Sequence, residues 1–498
     1  MTTLAPSPDR LFPADAATRS VARRIYSEVR NAPILSPHGH VDAAVLADNA
    51  AFPDPATLLI TPDHYVVRLL HANGVSLDEL GFARNGVPSE ASSRSIWAQL
   101  CRHWSMFAGT PVRYWFETEL SEVFGVTEMP SAATADSSYD QIATRLADDA
   151  YRPRSLFERF GIRVLATTDD PADDLAAHRR LRDDATFAGH VVPTLRADRY
   201  MDPGESTWIG RLDAITAASG IDAHSYRGLL DALRKRRGFF LDNGGTATDT
   251  GVIDAWAEPL ADADAERIHR DGLAGTVSPG DAVAYRRNLL YRFAEMSCDD
   301  GLVMQLHAGV LRNHHKPTLS AYGPDTGHDL PAVGGYSRPL ERLLGDFGTN
   351  PGLHLVLFTV DETMFSREIA PLAGFYPSVY AGAPWWFLDS PSGIARYRAA
   401  VTDSAGFGKT SGFIDDTRAF CSIPARHDLS RRADAAYLAS LVTTHQLGED
   451  EAATIARDLV GAIPTRTFRL ERYGQSVDAQ SRFDTLDKGF EPPQSPKE

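Results

Sequence analysis

Beyond Phe160 the chain falls into a rhythm of short apolar runs of strand length separated by helical spans, and this alternation restricts the fold more than any other feature. Residues 162–167 read as a strand, followed by a helix running through Leu175 and His178. A second run covers 191–195, and a weaker one lies at 239–241 or at the nearby 246–249. Clear apolar runs follow at 302–306 and 353–359, with short ones at 379–381 and 412–414. With residues 32–37 ahead of them, the strands number about eight, the count of a (β/α)8 barrel. Fully buried parallel strands read as continuous apolar runs rather than as alternation, and several of these do. A doubly wound sheet would place a glycine fingerprint after its first strand, and none is there. The expected fold is α/β, a distorted (β/α)8 TIM-type barrel.

The region before Phe160 has a different texture. An amphipathic helix is expected over 18–30, with Val21, Ile25 and Val29 on one stripe. From 42 to 160, helical segments such as 65–70 and 96–107 follow one another with no convincing strand between them, which predicts a mostly helical insertion after the first strand. Within it, the Ala/Ser/Thr-rich stretch 129–138 reads as a loop. The expected organisation is therefore 1–42 for the N-terminal helix and first strand, and 43–160 for the insertion. The remaining barrel and C-terminal helices take 161–483, and 484–498 form a polar, Pro-containing loose tail.

Composition narrows the function. Hydrophobic residues at 43% and charged residues at 23% are those of an ordinary globular protein, so disorder is not the default. A formal net charge of -16 argues against a nucleic-acid partner or an anionic membrane surface. It leaves room for a small anionic substrate, because a few arginines can invert the potential inside a pocket. Cys101, Cys298 and Cys421 lie far apart without CxxC spacing, which fits a reducing compartment. Residues 1–15 lack the apolar core of a signal peptide, and no apolar run approaches the roughly 20 residues of a membrane span. A soluble, cytoplasmic protein is expected.

The sharpest local signal is Pro37-His38-Gly39-His40 at the end of the first strand. Residues two apart in an extended segment project to one side, so both imidazoles can approach one ion. Most HxH pairs are simply neighbouring histidines. The position here favours more, because a barrel's active site lies at the C-terminal ends of its strands. Two imidazoles alone hold a metal weakly, and the late segment 413–418 offers Asp415 and Asp416 beside Arg418. Taken alone, such carboxylates are more often loop or capping residues. A third cluster, 304–313, ends a buried strand in His307 and continues to Arg312, which points both toward the same mouth; a core histidine and an exposed arginine are the plainer alternative. His314-His315-Lys316 reads as a solvated loop.

Together these segments resemble the uronate isomerase family of the amidohydrolase superfamily. The matching stretches are SPHGHVD (36–42), DHYVVRLL (63–70), ATTDDPADDLAAHR (166–179), VPTLRAD (192–198), MQLHAGVLRN (304–313), APWWFLD (383–389) and DDTRAF (415–420). They occur in the family's order from the first strand to the last. The resemblance implies that His38, His40 and Asp416 bind one divalent metal ion, zinc first, with manganese, cobalt or iron also suited. It implies active-site roles for His307 and Arg312, an arginine after the third strand at Arg196, a tyrosine from the insertion at Tyr65, and Arg418 two residues beyond Asp416. Asp249 is the loosest match, because the family's following histidine is here Thr250.

The activity the resemblance implies is interconversion of D-glucuronate with D-fructuronate, and of D-galacturonate with D-tagaturonate. Such a reaction moves a proton between C2 and C1 through an enediol. Polarisation of the carbonyl is worth several kcal/mol in a dry pocket, and a positioned base about 10²–10⁴ in rate. Tyr65 and Asp416 are both candidates for the proton carrier, with Tyr65 slightly favoured if a neighbouring arginine lowers its pKa. His307 and Asp249 could assist ring opening. Arg196, Arg312 and Arg418 suit a carboxylate because the guanidinium fork binds both oxygens; Arg68, on a helix, reads as solvated. Trp385 and Trp386 could stack on a sugar face or fill the core. Two rivals remain at this point, a metal-dependent hydrolase and a non-catalytic sugar-acid binder. Many two-metal hydrolases use a carboxylated lysine, and here only Lys316 and Lys409 lie near strand ends, in loops. A binder would need to have lost the metal or base positions. Homo-oligomeric assembly is expected of a barrel enzyme of this size.

Overall fold

The computed structural model describes residues 3–473; the tail expected at 484–498 lies outside the described residues. Ten short strands are assigned: β1 Ile34–Ser36, β2 Ile162–Ala166, β3 His190–Val192, β4 Thr194–Arg196, β5 Ala247–Val252, β6 Val303–Ala308, β7 Val310–Leu311, β8 Leu330–Pro331, β9 Leu355–Phe358 and β10 Val379–Ala381. They form a parallel sheet β1-β2-β3, a second parallel sheet β10-β9-β6-β5-β4, and a small antiparallel pair, β7 with β8. Every side chain of β6 and β9 is buried, which is why these two read as unbroken apolar runs.

Pro193 separates β3 from β4, because it has no N–H to give to the ladder. The pairing nevertheless continues along the same neighbour: Thr167 N donates to Val192 O at 3.0 Å, and Asp169 N to Thr194 O at 2.9 Å. At the far side, Ser411 N donates to Ala381 O at 2.9 Å, and His40 N to Thr417 O at 3.0 Å. The extended segment 410–417 thus touches β10 along one flank and the end of β1 along the other. The strand expected at 412–414 is not a regular one. Gly412 at φ 73° and Asp416 at φ 41° break the extended conformation, and pairing survives only as single bonds.

Between β1 and β2 the described residues hold helices and turns, including His64–Ala72, Ser93–Arg102, Pro111–Thr118 and Ala135–Leu146, with isolated bridges and no ladder. Side chains of Asp54, Asp63 and Ser92 cap helix starts by accepting backbone N–H bonds. The loop expected at 129–138 ends early, because Ser138, Ile142 and Leu146 share one buried face and draw Ala135 onward into a helix. The expected helix 96–107 is split, and its last turn, Trp104–Phe107, is 3-10.

Residues 239–241 are helical. Leu229, Leu233 and Phe240 continue a buried stripe on Tyr226–Asp242, and Gly244 and Gly245 end it before β5. Leu175, at φ 55°, precedes the helix Ala176–Asp183 rather than lying in it. The N-terminal helix Ala16–Val29 packs Val21, Ala22, Ile25 and Val29 against Leu438 and Ala439 of Ile423–Thr443 and Ile455 of Glu449–Val460, so the two ends of the described chain share a core. No helix among the described residues is long and apolar enough to cross a membrane, and all three cysteines are free thiols.

Candidate active site

The carboxyl ends of the parallel strands open into one cavity of about 660 Å³. At its floor, His38 Nε2 lies 3.3 Å and His40 Nε2 2.9 Å from Asp416 Oδ1. Gly39 permits the approach: a Cβ there would stand 3.3 Å from Asp415 Oδ1. The two late carboxylates diverge. Asp416 turns to the histidines, while Asp415 Oδ2 accepts from His427 Nε2 at 3.1 Å, buried against the C-terminal helix.

His307, at the end of β6, joins the group. Its ring lies 4.6 Å from that of His38 and stacks on Phe358 at 4.2 Å. Its Nδ1 donates to Asp249 Oδ1 at 2.6 Å, which leaves Nε2 as a lone pair. Ligand atoms of His38, His307 and Asp416 lie within 4.8 Å of one another. His307 Nε2 and Asp416 Oδ1 are buried without a hydrogen-bond partner. Imidazole nitrogens and a carboxylate oxygen buried this close together are what a divalent cation satisfies, so the donor set fits a metal. Asp416 Oδ1 lies within reach of both His38 and His40, and His307, expected from the sequence as an active-site residue, stands in the group of mutually close ligand atoms where His40 was expected.

The arginines ring this floor at different depths. Arg196, at the end of β4, pairs through Nε with Asp198 at 2.9 Å and through Nη1 with Asp249 at 3.1 Å. A Cβ on Gly251 would fall 2.7 Å from its Nη2, so that glycine makes room for the guanidinium. Arg312 binds Asp329 at 2.9 Å and lies 5.3 Å over the Trp386 ring. Arg418 is exposed and reaches Asp325 at 3.4 Å. Arg68 does not reach the cavity; it stacks over Phe387 at 4.8 Å. Trp385 and Trp386 are both buried and both line the cavity, Trp385 with its ring 4.6 Å from His307 and Trp386 4.9 Å from His64.

Tyr65 enters on the first turn of the helix His64–Ala72, capped by Asp63. Burial pushes its phenol well above the ordinary tyrosine range and outweighs the opposing effect of Arg426. The expectation that a neighbouring arginine would lower it is therefore corrected: an arginine is there, but desolvation wins. For Asp416 the balance is reversed, because His38 and His40 overcome burial and hold the carboxyl well below its usual range. Asp249 is likewise held low against burial by Arg196 and His307. It stands behind these two rather than on the cavity wall. Thr250 points to the other face of β5, buried and away from the cavity.

Sequence reasoning passed over His64, Asp198, Asp325 and Asp329, all of which line the cavity. His64 stood beside Tyr65 in the quoted stretch and could have been found there. Burial, followed by Arg418, lowers its pKa to about 3, so it is neutral.

A sequence profile described as glucuronate isomerase matches residues 15–467. The chain belongs to the glucuronate isomerase family. Relatives agree in sequence and in shape. A uronate isomerase of Corynebacterium efficiens is 47% identical over 470 residues, covering 94% of this chain and 100% of the relative. The crystal structure of glucuronate isomerase from Caulobacter crescentus superposes with a TM-score of 0.92 at 43% identity, covering 96% of this chain and 99% of that one. That of uronate isomerase from Thermotoga maritima gives 0.87 at 26% identity, covering 93% and 99%. In the glucuronate isomerase family frame, this chain spans nearly the full length of each relative.

Proposed function

We propose that this member of the glucuronate isomerase family interconverts D-glucuronate and D-fructuronate, and D-galacturonate and D-tagaturonate, by moving a proton between C2 and C1 through an enediol. The observation that carries the reading is the mutual approach of His38, His307 and Asp416, with His40 Nε2 against Asp416 Oδ1, beside Arg196, Arg312 and Arg418. A sugar acid needs both halves, a polarising floor and guanidinium forks, which here are held by Asp198, Asp329 and Asp325 until a substrate carboxylate shares or displaces them.

His38, His40 and Asp416 would hold one divalent ion, zinc, manganese, cobalt or iron, with His307 beside them. When bound, that ion supplies Lewis-acid stabilisation of negative charge developing on the sugar oxygens, worth several kcal/mol. The arginines bind and orient: their forks fix the carboxylate and so direct C1 and C2 toward the floor. Arg196 is preset by Asp198 and Asp249, whereas Arg418 must exchange Asp325 for the substrate. Tyr65 keeps the proton on its Oη at neutral pH and is the donor in our assignment, and the ionised Asp416 carboxylate is the acceptor. The proton taken by Asp416 is released to solvent while Tyr65 regains one, which restores both groups for the next turnover. His307, oriented by Asp249, offers a basic nitrogen for ring opening. Trp385 and Trp386 close the wall against the sugar face and exclude water.

We also read the eight parallel tracks, with 410–417 as the eighth, as a closed distorted (β/α)8 barrel, supported by the bonds from 410–417 to β10 and to the end of β1. Residues 43–160 are its helical insertion and 161–473 its remainder, the last ten residues of the expected 161–483 lying outside the described residues. Cytoplasmic placement is supported by the three unpaired thiols, and a homo-oligomer remains the expected assembly.

Metal-loaded protein incubated with D-glucuronate should form a ketose, followed by coupled reduction with a nicotinamide cofactor, and should exchange the C2 hydrogen with solvent deuterium. Absence of both sinks the isomerase. The hydrolase reading is weakened by the cavity wall, which contains no lysine among the described residues; Lys409 Nζ instead donates to Pro377 O at 2.7 Å.

A further inference from the structure

Behind the cavity wall lies a guanidinium that the chemistry above does not use. Arg426 sits in the first turn of the helix Ile423–Thr443 and is fully buried. A cation is disfavoured at a helix N-terminus and costly in the interior, so it needs compensating anions. Two are present. Arg426 Nη1 donates to Asp389 Oδ2 at 3.0 Å, and Nη2 to Asp63 Oδ2 at 3.3 Å. Its Nε donates to Ser422 Oγ at 3.0 Å. The guanidinium lies 3.5 Å over the Trp115 ring and 4.9 Å over that of Tyr65, and these two rings meet edge to face at 5.3 Å.

The partners matter for where they sit. Asp63 Oδ1 accepts from Tyr65 N at 2.8 Å, so the carboxylate that binds Arg426 also starts the tyrosine's helix. Asp389 closes the short turn Trp386–Leu388. One buried cation therefore ties the insertion, the tryptophan turn and the C-terminal helix together behind the wall. Replacing a buried ion network by apolar groups is often neutral or stabilising, so stability alone is a weak account of it. Orientation is a better one, because a misplacement of about 1 Å at a reacting group can cost about 100-fold in rate.

We propose that Arg426 is the positioning residue for Tyr65, fixing the phenol toward the cavity by holding Asp63 and the Trp386–Leu388 turn at once. The proposal rests on the reading of Tyr65 as a proton donor to the sugar. It does not make Arg426 a catalytic residue, since nothing of it lines the cavity.

The test is a double-mutant cycle on metal-loaded, full-length enzyme with D-glucuronate. Arg426→Lys should lower kcat about 10-fold and Arg426→Met about 100-fold, with KM within about twofold, the lysine restoring part of the loss. In a Tyr65→Phe background Arg426→Lys should have no further effect on kcat, because there is no hydroxyl left to position. Asp389→Asn, which keeps shape and removes one anion, gives the same cycle should the Arg426 variants fail to fold by thermal unfolding. Losses that multiply in the Tyr65→Phe background overturn the positioning role and leave the role of Tyr65 standing. Full activity of Tyr65→Phe overturns both. An inactive parent enzyme overturns the proposed function itself.

Discussion

At the floor of the cavity two imidazoles face one carboxylate oxygen, so each of the three side chains supplies a ligand atom to the same place. His40→Ala and Asp416→Ala should each lower turnover by at least about 100-fold and reduce bound metal, measured by elemental analysis beside the ketose assay. Full metal content and near-normal turnover in both would remove the site. Arg418 is exposed and weakly paired, so its worth to the substrate is that of a charge-assisted hydrogen bond, about 1.5–3 kcal/mol. Arg418→Met should therefore raise KM for uronates about 10–100-fold and change kcat less; an unaltered KM excludes it from the carboxylate clamp. His38 and His40 are legible in the sequence because they stand at a strand end, where local geometry dictates direction, whereas Asp416 is told from Asp415 only by the family resemblance. Arg426 and Asp325 are not, because a helix residue and a loop residue acquire their partners only through tertiary folding.

Among elements, the tightest joints are those where backbone meets backbone. A Cβ on Gly382, just past β10, would stand 2.4 Å from Phe358 Cδ1 and 2.7 Å from Leu357 O. The ring could shift, but the carbonyl belongs to β9 and cannot without breaking the ladder. Gly382→Ala should destabilise the protein by about 1–3 kcal/mol in thermal unfolding. It should also lower activity, since Phe358 is the ring on which His307 rests. A variant as stable and active as the parent would show that the sheet yields there. Strands β6 and β9 are plain in the sequence because both faces are buried. The 239–241 run misleads because an apolar stripe on a helix and a short strand look alike over three residues, and only Gly244 and Gly245 tell them apart. Residues 412–414 mislead in the opposite direction, since two left-handed backbones interrupt what their composition promises.

On the scale of the molecule, the insertion is bound to the rest of the chain partly through groups that dislike being charged. Glu119, on a π-helical turn of the insertion packed against Phe420–Ser422, is buried, and desolvation raises its pKa to about 8 from 4.5. Below pH 4.5 it is protonated folded or unfolded and has no effect on stability. Between pH 4.5 and 8 only the unfolded chain ionises, so stability falls as pH rises and levels off above 8. Glu119→Gln should match the parent below pH 4.5 and exceed it by a few kcal/mol near pH 9 in denaturant unfolding; equal curves at both ends refute this. The alternation that announces an α/β fold is readable over most of the chain. The shared core of the two chain ends is not, because neither helix carries any mark of its partner.

That shared core has a temporal consequence. His38 and His40 leave the ribosome well before Asp416 and the helices that clasp the N-terminal helix. An ion cannot be captured by the full set, nor the first helix find its groove, until the segment beyond Asp416 has been made. Premature termination anywhere before those helices yields a chain with exposed apolar stripes and an incomplete metal site, a natural substrate for quality control rather than a partly working enzyme.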